Sequence, residues 1–582
     1  MLRKGRAQHQ GAAAAARGVE PADLLVTNVR LVNVLTYEVI PGHIATRQGL
    51  IAGVFHTDDA ALPSQEVLNG AQRFAIPGLV DGHLHIESSM IGAPAFAAGV
   101  VPRGVLTIVA DPHEIANVLG LSGIRLMADA AKDLPLDVFL QAPSCVPATD
   151  LETSGAEIGP QEIRKLLGWD EIVALGEVMD FNAVLTQKGR AAEVLAEAVK
   201  RGAIIEGHAP NLTGGDLAAY IAAGVTSDHT FVTPELAEER LRAGMTLQLQ
   251  LKTLAPETIR RASALAKSLN LCLVTDDVMP DDLVRTGHLD HVLRTAIRMG
   301  MDPIEAIRAV TIAPAMRFGL TDRGAIAPGR WAHIVLTKSL EDFRADYVFH
   351  AGRLVAKDGE LIVPLPDYTP PDEARRTVRI PPPATDRFRL PARGRSVTAR
   401  IIQMRRESTY TEARTERLPV KDGAIDWESS NLCLAAVFER HGRAGTVGYG
   451  LVRGALRDGA VAMTWAHDSH NLLVLGRSPA DMAQAARWVV ETGGGMAAVR
   501  GGELLGSVRL PIAGIVSERS VPEVAEELGT FRRALTTLGF THTSPIMALG
   551  VLTLPVSPEL KLTDLGLVDV TRGVIVPLIM EG

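Results

Sequence analysis

Short apolar runs alternate with amphipathic stretches through the middle of this chain. The runs occupy 78–85, 106–111, 138–142, 172–177, 203–208, 224–229, 245–250 and 271–276. Between them the spacing changes to that of a helix, most plainly in Ala191-Ala192-Glu193-Val194-Leu195-Ala196-Glu197-Ala198-Val199. Eight strand-like runs separated by helical text predict an α/β fold, a parallel (β/α)8 TIM-like barrel over 77–324. The flanks read differently. Runs at 24–26, 29–32 and 50–54 are short, β-like and punctuated by Gly, Asn and Pro. A second β-like stretch follows at 325–363, so 23–76 and 325–363 together predict a small composite β-sandwich. Residues 364–383 hold Pro366, Pro370, Pro371, Pro381, Pro382 and Pro383 and read as an extended linker. Beyond it, 384–582 mixes strand-like pieces with a helix near 480–491, which predicts an additional C-terminal α+β domain. Residues 1–22 are basic and Ala-rich and predict a disordered tail.

Composition narrows the function classes. The chain has 582 residues, 47% hydrophobic and 22% charged, with a net charge of −8. There is no dense basic stripe, so nucleic acid is not an expected partner. No apolar run reaches the roughly 18 residues that a membrane span needs, so no membrane partner is expected either. Cys145, Cys272 and Cys433 form no CxxC pair, which fits a reducing cytoplasm and offers no Cys-based zinc site. The run Gly493-Gly494-Gly495 lacks both the GK[ST] ending and the GxGxxG spacing, so it reads as a turn rather than a phosphate loop.

The chemistry concentrates at strand ends. His83 and His85 close the first run, and a strand's period of two points both imidazoles to one face. Glu177 closes the fourth run, His208 the fifth, His229 the sixth and Asp276 the eighth. In a parallel barrel these ends form the active-site face. Six nitrogen and carboxylate donors suit first-row divalent metals. They exceed the three or four that one catalytic ion with an open position uses. A two-metal site sharing Glu177 accounts for the count, with Asp276 free to accept a proton from the nucleophilic solvent.

This arrangement resembles the amidohydrolase superfamily over roughly 77–332. The fourth run offers Glu177 where hydantoinases and dihydroorotases place a carboxylated lysine. PGLVDGHLHIESSM, ADPHEIANVLG, APSCVPATDLETSGA, GHAPNLTGGDLAAYIAAGVTSDH, TDDVMPDDL and AHDSHNLLVLG resemble the bacterial adenine deaminase family more closely. That resemblance implies hydrolysis of adenine to hypoxanthine and ammonia, with a metal-bridged hydroxide attacking C6. It also implies two divalent ions (manganese, iron or zinc), a small purine as partner, and a homo-oligomer, dimer or larger. Asp276, Glu177 and His229 are the expected catalytic groups. Glu87, Ser88, Ser89, Asp277, His467 and His470 are candidate substrate contacts. His113 and Glu114 are candidates for substrate or for an accessory metal. The rival readings are a hydantoinase-like or imidazolonepropionase-like hydrolase of a cyclic amide, and a metal-binding scaffold without turnover.

Overall fold

In the computed structural model, residues 5–59, 62–266 and 269–580 are described. Eight parallel strands form the barrel: β1 (Leu79–Leu84), β2 (Val105–Ala110), β3 (Asp137–Ala142), β4 (Ile172–Val178), β5 (Ile205–Gly207), β6 (Ser227–Asp228), β7 (Thr246–Leu249) and β8 (Leu271–Leu273). β1 to β5 form one hydrogen-bonded sheet and β6 to β8 another. Two seams close them into one barrel. At the first, Thr226 N–H donates to Ile205 O (3.3 Å) and Gly207 N–H to Ser227 Oγ (3.1 Å). At the second, Asp276 N–H donates to His83 O at 3.1 Å. β2, VLTIVA, is buried along its whole length, as a strand covered on both faces must be.

Both flanks of the barrel build one sheet. Strands Ala22–Asn33, Glu38–Arg47, Leu50–His56, Ser64–Asn69 and Phe74–Pro77 join Ile334–Thr337, Tyr347–His350, Arg353–Lys357 and Glu360–Leu361 in a nine-stranded sheet. Eight follow one another across the sheet and the ninth, Ser64–Asn69, pairs with Ala22–Asn33, so the two flanks form one hydrogen-bonded composite unit. It meets the barrel where β3 begins. There Asp137 accepts from His333 Nε2 (3.0 Å) and His350 Nε2 (3.4 Å) and pairs with Arg323.

The expectation of a disordered tail is corrected from residue 5 onward; residues 1–4 lie outside the described residues. Arg6–Ala16 is a helix, and its Ala12 and Ala15 are buried against Leu25, Ala45, Leu50 and Trp331. These alanines are small residues that let the helix approach the sheet. The proline-rich stretch is held in place at two points. Ala374 is buried and its carbonyl accepts from Ala513 N–H (2.7 Å), while Arg379 N–H donates to Arg440 O (2.7 Å).

The C-terminal region carries a ten-stranded sheet and the helices Pro479–Glu491 and Val521–Thr537. One apolar core runs through the barrel and into this region. Arg532 Nε also pairs with Asp281 Oδ2 across the join (2.7 Å). Gly495 starts the strand Gly495–Arg500 with φ 132°, and a Cβ there would meet Val508 O at 2.1 Å. The glycine run is therefore set by backbone crowding at a turn into a strand.

One buried ion pair supports the site from below. Arg240 Nε donates to Asp228 Oδ2 at 2.7 Å, and both side chains are fully buried. The other oxygen, Asp228 Oδ1, accepts from Ala209 N–H, Thr230 N–H and Thr230 Oγ1. Removing one partner of such a pair leaves a buried, uncompensated charge. Arg240→Met should cost about 3–5 kcal/mol, read as a lowered midpoint in chemical unfolding. An unchanged midpoint would show that Asp228 is satisfied by its other donors alone.

Candidate metal centre

Each expected ligand stands at the C-terminal end of its strand. His83 lies in β1 and His85 one residue past its end; Glu177 lies in β4; His208 and His229 directly follow β5 and β6. Asp276 follows β8 with φ 60°, a left-handed conformation that Asp tolerates better than most residues. It costs of order 1–3 kcal/mol and persists where the surroundings impose it, here through the Asp276 N–H bond to His83 O.

The six side chains converge. Glu177 divides its two oxygens between two groups of imidazoles. Oε1 lies 3.4 Å from His85 Nε2, and Oε2 lies 2.6 Å from His208 Nδ1 and 3.2 Å from His229 Nε2. Asp276 Oδ1 faces His83 Nε2 (3.6 Å) and His85 Nε2 (3.3 Å). Three overlapping sets, His83/His85/Glu177, His83/His229/Asp276 and Glu177/His208/His229, each bring their donor atoms within 4.8 Å of one another.

The donor chemistry fits divalent metal. Neither ring nitrogen of His83 has a hydrogen-bond partner, nor does His229 Nδ1, although both residues are buried. His85 Nδ1 lies 3.0 Å from Asp111 O, and an N–H there leaves Nε2 with its lone pair toward Glu177 and Asp276. That carbonyl contact is how metal-binding histidines are commonly oriented. Burial works to raise the Glu177 carboxyl, but the imidazoles of His229 and His208 outweigh it and hold its pKa well below the usual range. Burial likewise opposes ionisation of Asp276, and Lys252, His83 and His85 overcome it. Both acids are thus in the anionic form that a ligand needs.

Close packing fixes Glu177 from behind. Its N–H donates to Asp111 Oδ2 at 3.0 Å, and a Cβ on Gly176 would sit 2.1 Å from the same oxygen. Only glycine leaves room for that carboxylate beside β4.

Neither Lys252 nor Asp468 is among the residues that the sequence singles out. Lys252 Nζ lies 3.3 Å from Asp276 Oδ2. The seventh run ends in Gln250, so a residue two positions further on gave no strand-end signal. Asp468 belongs to the C-terminal region, in the loop between strands Ala460–Met463 and Leu472–Gly476. That loop roofs the barrel mouth and also carries His467 and His470. His113 lies between roof and centre: Nδ1 is 3.8 Å from Glu177 Oε1 and Nε2 is 3.9 Å from Asp468 Oδ2.

The remaining candidates form a second buried cluster next to the first. Ser88 Oγ lies 2.6 Å from Asp277 Oδ1 and 3.1 Å from Glu114 Oε1. Glu114 faces His467 Nδ1 (3.5 Å) and His470 Nε2 (3.7 Å) rather than His113. His470 Nδ1 accepts from Ala466 N–H at 3.3 Å, so Nε2 carries the ring proton and presents a donor to Glu114. Glu87 is fully buried, its Oε1 accepting from Ile115 N–H (3.2 Å); burial and Glu114 push its pKa up to about 7. Ser89 Oγ is spent on Ile86 O within its own turn. Among the ligand candidates His208 is the most open, at 29% side-chain exposure, and Lys252 is 58% exposed. The mouth therefore opens on their side. A cavity of about 680 Å³, lined in part by Met179, Phe181, Asn211 and Tyr410, lies beside the loops after β4 and β5. No helix among the described residues is long and apolar enough to cross a membrane.

Comparison with known proteins places the two halves separately and then together. Residues 74–355 match the amidohydrolase family, and residues 408–573 match the adenine deaminase C-terminal domain. The chain is 42% identical over 563 residues to an adenine deaminase of Nitratidesulfovibrio vulgaris, covering 95% of this chain and 96% of that protein. It is 42% identical over 578 residues to the adenine deaminase of Moorella thermoacetica, covering 97% of both. It is 41% identical over 569 residues to adenine deaminase 2 of Carboxydothermus hydrogenoformans, covering 97% and 98%.

Proposed function

This chain belongs to the adenine deaminase family, and from that membership we propose that it hydrolyses adenine to hypoxanthine and ammonia at the Glu177 centre. The observation that carries the reading is the division of Glu177 between two imidazole groups, within a chain that matches an adenine deaminase over 97% of its length. His83, His85 and Asp276 would hold one divalent ion, His208 and His229 the other, with Glu177 shared between them. Manganese, iron or zinc suits this set. Two such ions, when bound, supply ionised water at neutral pH beside the reacting carbon.

The residues do the rest. Asp276 Oδ1 is turned toward His83 and His85, which leaves Oδ2, beside Lys252, as the oxygen that takes a proton from the attacking water. The same carboxyl then returns that proton to the departing amine as ammonia leaves C6. His229, against Glu177 Oε2, stands where it can assist protonation of ring N1. The adenine ring lies between the centre and the roof, so Glu87, Ser88, Glu114, His113 and the loop bearing His467 and His470 form its surroundings. Asp277, which accepts from Ser88, supports that wall from behind. Burial of the ring excludes bulk water and strengthens each of these contacts. The three cysteines are all buried and free, which suits a cytoplasmic setting.

The test is ammonia release from a panel of purines on protein of defined metal content. Adenine should be deaminated, chelation should abolish the activity, and two equivalents of manganese per chain should restore it. Ring opening of a hydantoin with no ammonia from adenine would transfer the reading to a cyclic-amide hydrolase. Two bound metals with turnover of neither substrate would favour a scaffold.

A further inference from the structure

We propose that Asp468, supplied by the C-terminal region, reads the N–H of the purine's imidazole half and so selects the free base; this rests on the adenine reading above. Orphaned polar atoms gather at the barrel mouth. Glu87 Oε2, His113 Nδ1, Glu114 Oε2, His467 Nε2, Asp468 Oδ2 and His470 Nε2 are all buried and lack a hydrogen-bond partner. Buried polar groups are nearly always hydrogen-bonded, so a cluster of such atoms at one mouth is a place where the polar groups of a ligand can be received. Asp468 is 2% exposed, and its Oδ2 stands 3.9 Å from His113 Nε2, beyond hydrogen-bond range. Its other oxygen, Oδ1, lies 3.6 Å from His467 Nδ1.

A carboxylate oxygen accepts and does not donate, so Oδ2 calls for a donor. Adenine has donors at two places: its exocyclic amine and the N–H of its five-membered ring. The amine is the leaving group and must face Glu177 and Asp276. Glu177 Oε1 approaches His113 at Nδ1 and Asp468 Oδ2 approaches it at Nε2, so Asp468 stands away from the reacting centre and the ring N–H is the donor left for it. The loop that carries it is held rigidly: His467 N–H donates to Gly550 O (3.0 Å), His470 N–H to Ala466 O (2.8 Å), and Asn471 Nδ2 to Thr153 O (2.8 Å). A substituent on that ring nitrogen removes the donor and leaves the buried carboxylate oxygen unpaired.

The test crosses two substrates with three proteins, each with its metal content measured. The substrates are adenine and 9-methyladenine; the proteins are the wild type, Asp468→Ala and Asp468→Asn. The wild type should prefer adenine by about 100-fold or more in kcat/KM, the scale of leaving a buried acceptor unpaired. In Asp468→Ala that preference should fall at least tenfold, mainly through loss of adenine, with two metals still bound. Asp468→Asn can still accept through its amide oxygen and should fall between. An equal preference in wild type and Asp468→Ala overturns the proposal, because the methyl group is then refused by something else. If the wild type releases no ammonia from adenine, the deaminase reading fails instead. Equilibrium dialysis of adenine and 9-methyladenine against the three proteins then decides Asp468: loss of preference in Asp468→Ala supports it, and an unchanged preference overturns it.

Discussion

Glu177→Gln is expected to reduce ammonia release from adenine by more than about 10³-fold, equivalent to ~4 kcal/mol of lost transition-state stabilisation. The protein should also retain less than one divalent ion per chain after desalting. The reason is geometric. Glu177 divides its two oxygens between the imidazole groups, with Oε1 toward His85 and Oε2 toward His208 and His229. Glutamine preserves the shape but turns one acceptor oxygen into an NH₂ donor, which cannot ligate a cation and repels it. The charge also matters to the neighbours: Glu177 raises the proton affinity of His229, to about 9 against the opposing effect of burial. Metal analysis and steady-state kinetics on one preparation check the expectation together. Two tightly held ions with near-normal activity would remove Glu177 from the centre of the scheme.

Asp276→Asn is expected to behave differently, and the contrast separates ligand from proton carrier. Metal content should stay at two ions per chain, since His83, His85, Glu177, His208 and His229 remain. The fall should be in kcat, by about 10² to 10⁴, the usual contribution of a positioned general base. Asparagine in the left-handed backbone conformation at φ 60° is well tolerated, so the fold should not report the change. The substitution also removes the partner of Lys252, whose ammonium Asp276 and Asp277 hold above the usual lysine pKa. Full deaminase activity with normal metal content would take the proton-carrying role away from Asp276.

Much of the barrel was legible in the chain because its signal is local. A period of two over short apolar runs and a period near 3.6 between them reflect the backbone geometry of neighbouring residues. Each of the eight runs read from the sequence contains or overlaps one of β1 to β8, and the ligand candidates stand at their ends because a βα unit presents those ends on one face. Where that local signal was weak the reading went astray. An Ala-rich stretch has little hydrophobic bulk, so residues 6–16 looked like a tail, whereas they fold as a helix packed on the sheet. Proline richness suggested an extended linker, and within it Ala374 and Arg379 are pinned to the C-terminal region.

The sequence by itself therefore determined the architecture of the barrel and singled out the six side chains, Glu177 among them, that converge at its mouth. Tertiary structure alone decided that Glu177 splits its oxygens between two imidazole groups and that Lys252 rests on Asp276. It also decided that Glu114 turns to His467 and His470 rather than to His113, and that Asp468 closes the mouth from a distant part of the chain. Periodicity encodes which way a residue points from its own strand. It carries no information about which residue from another region, brought in by packing of a shared core, will stand opposite.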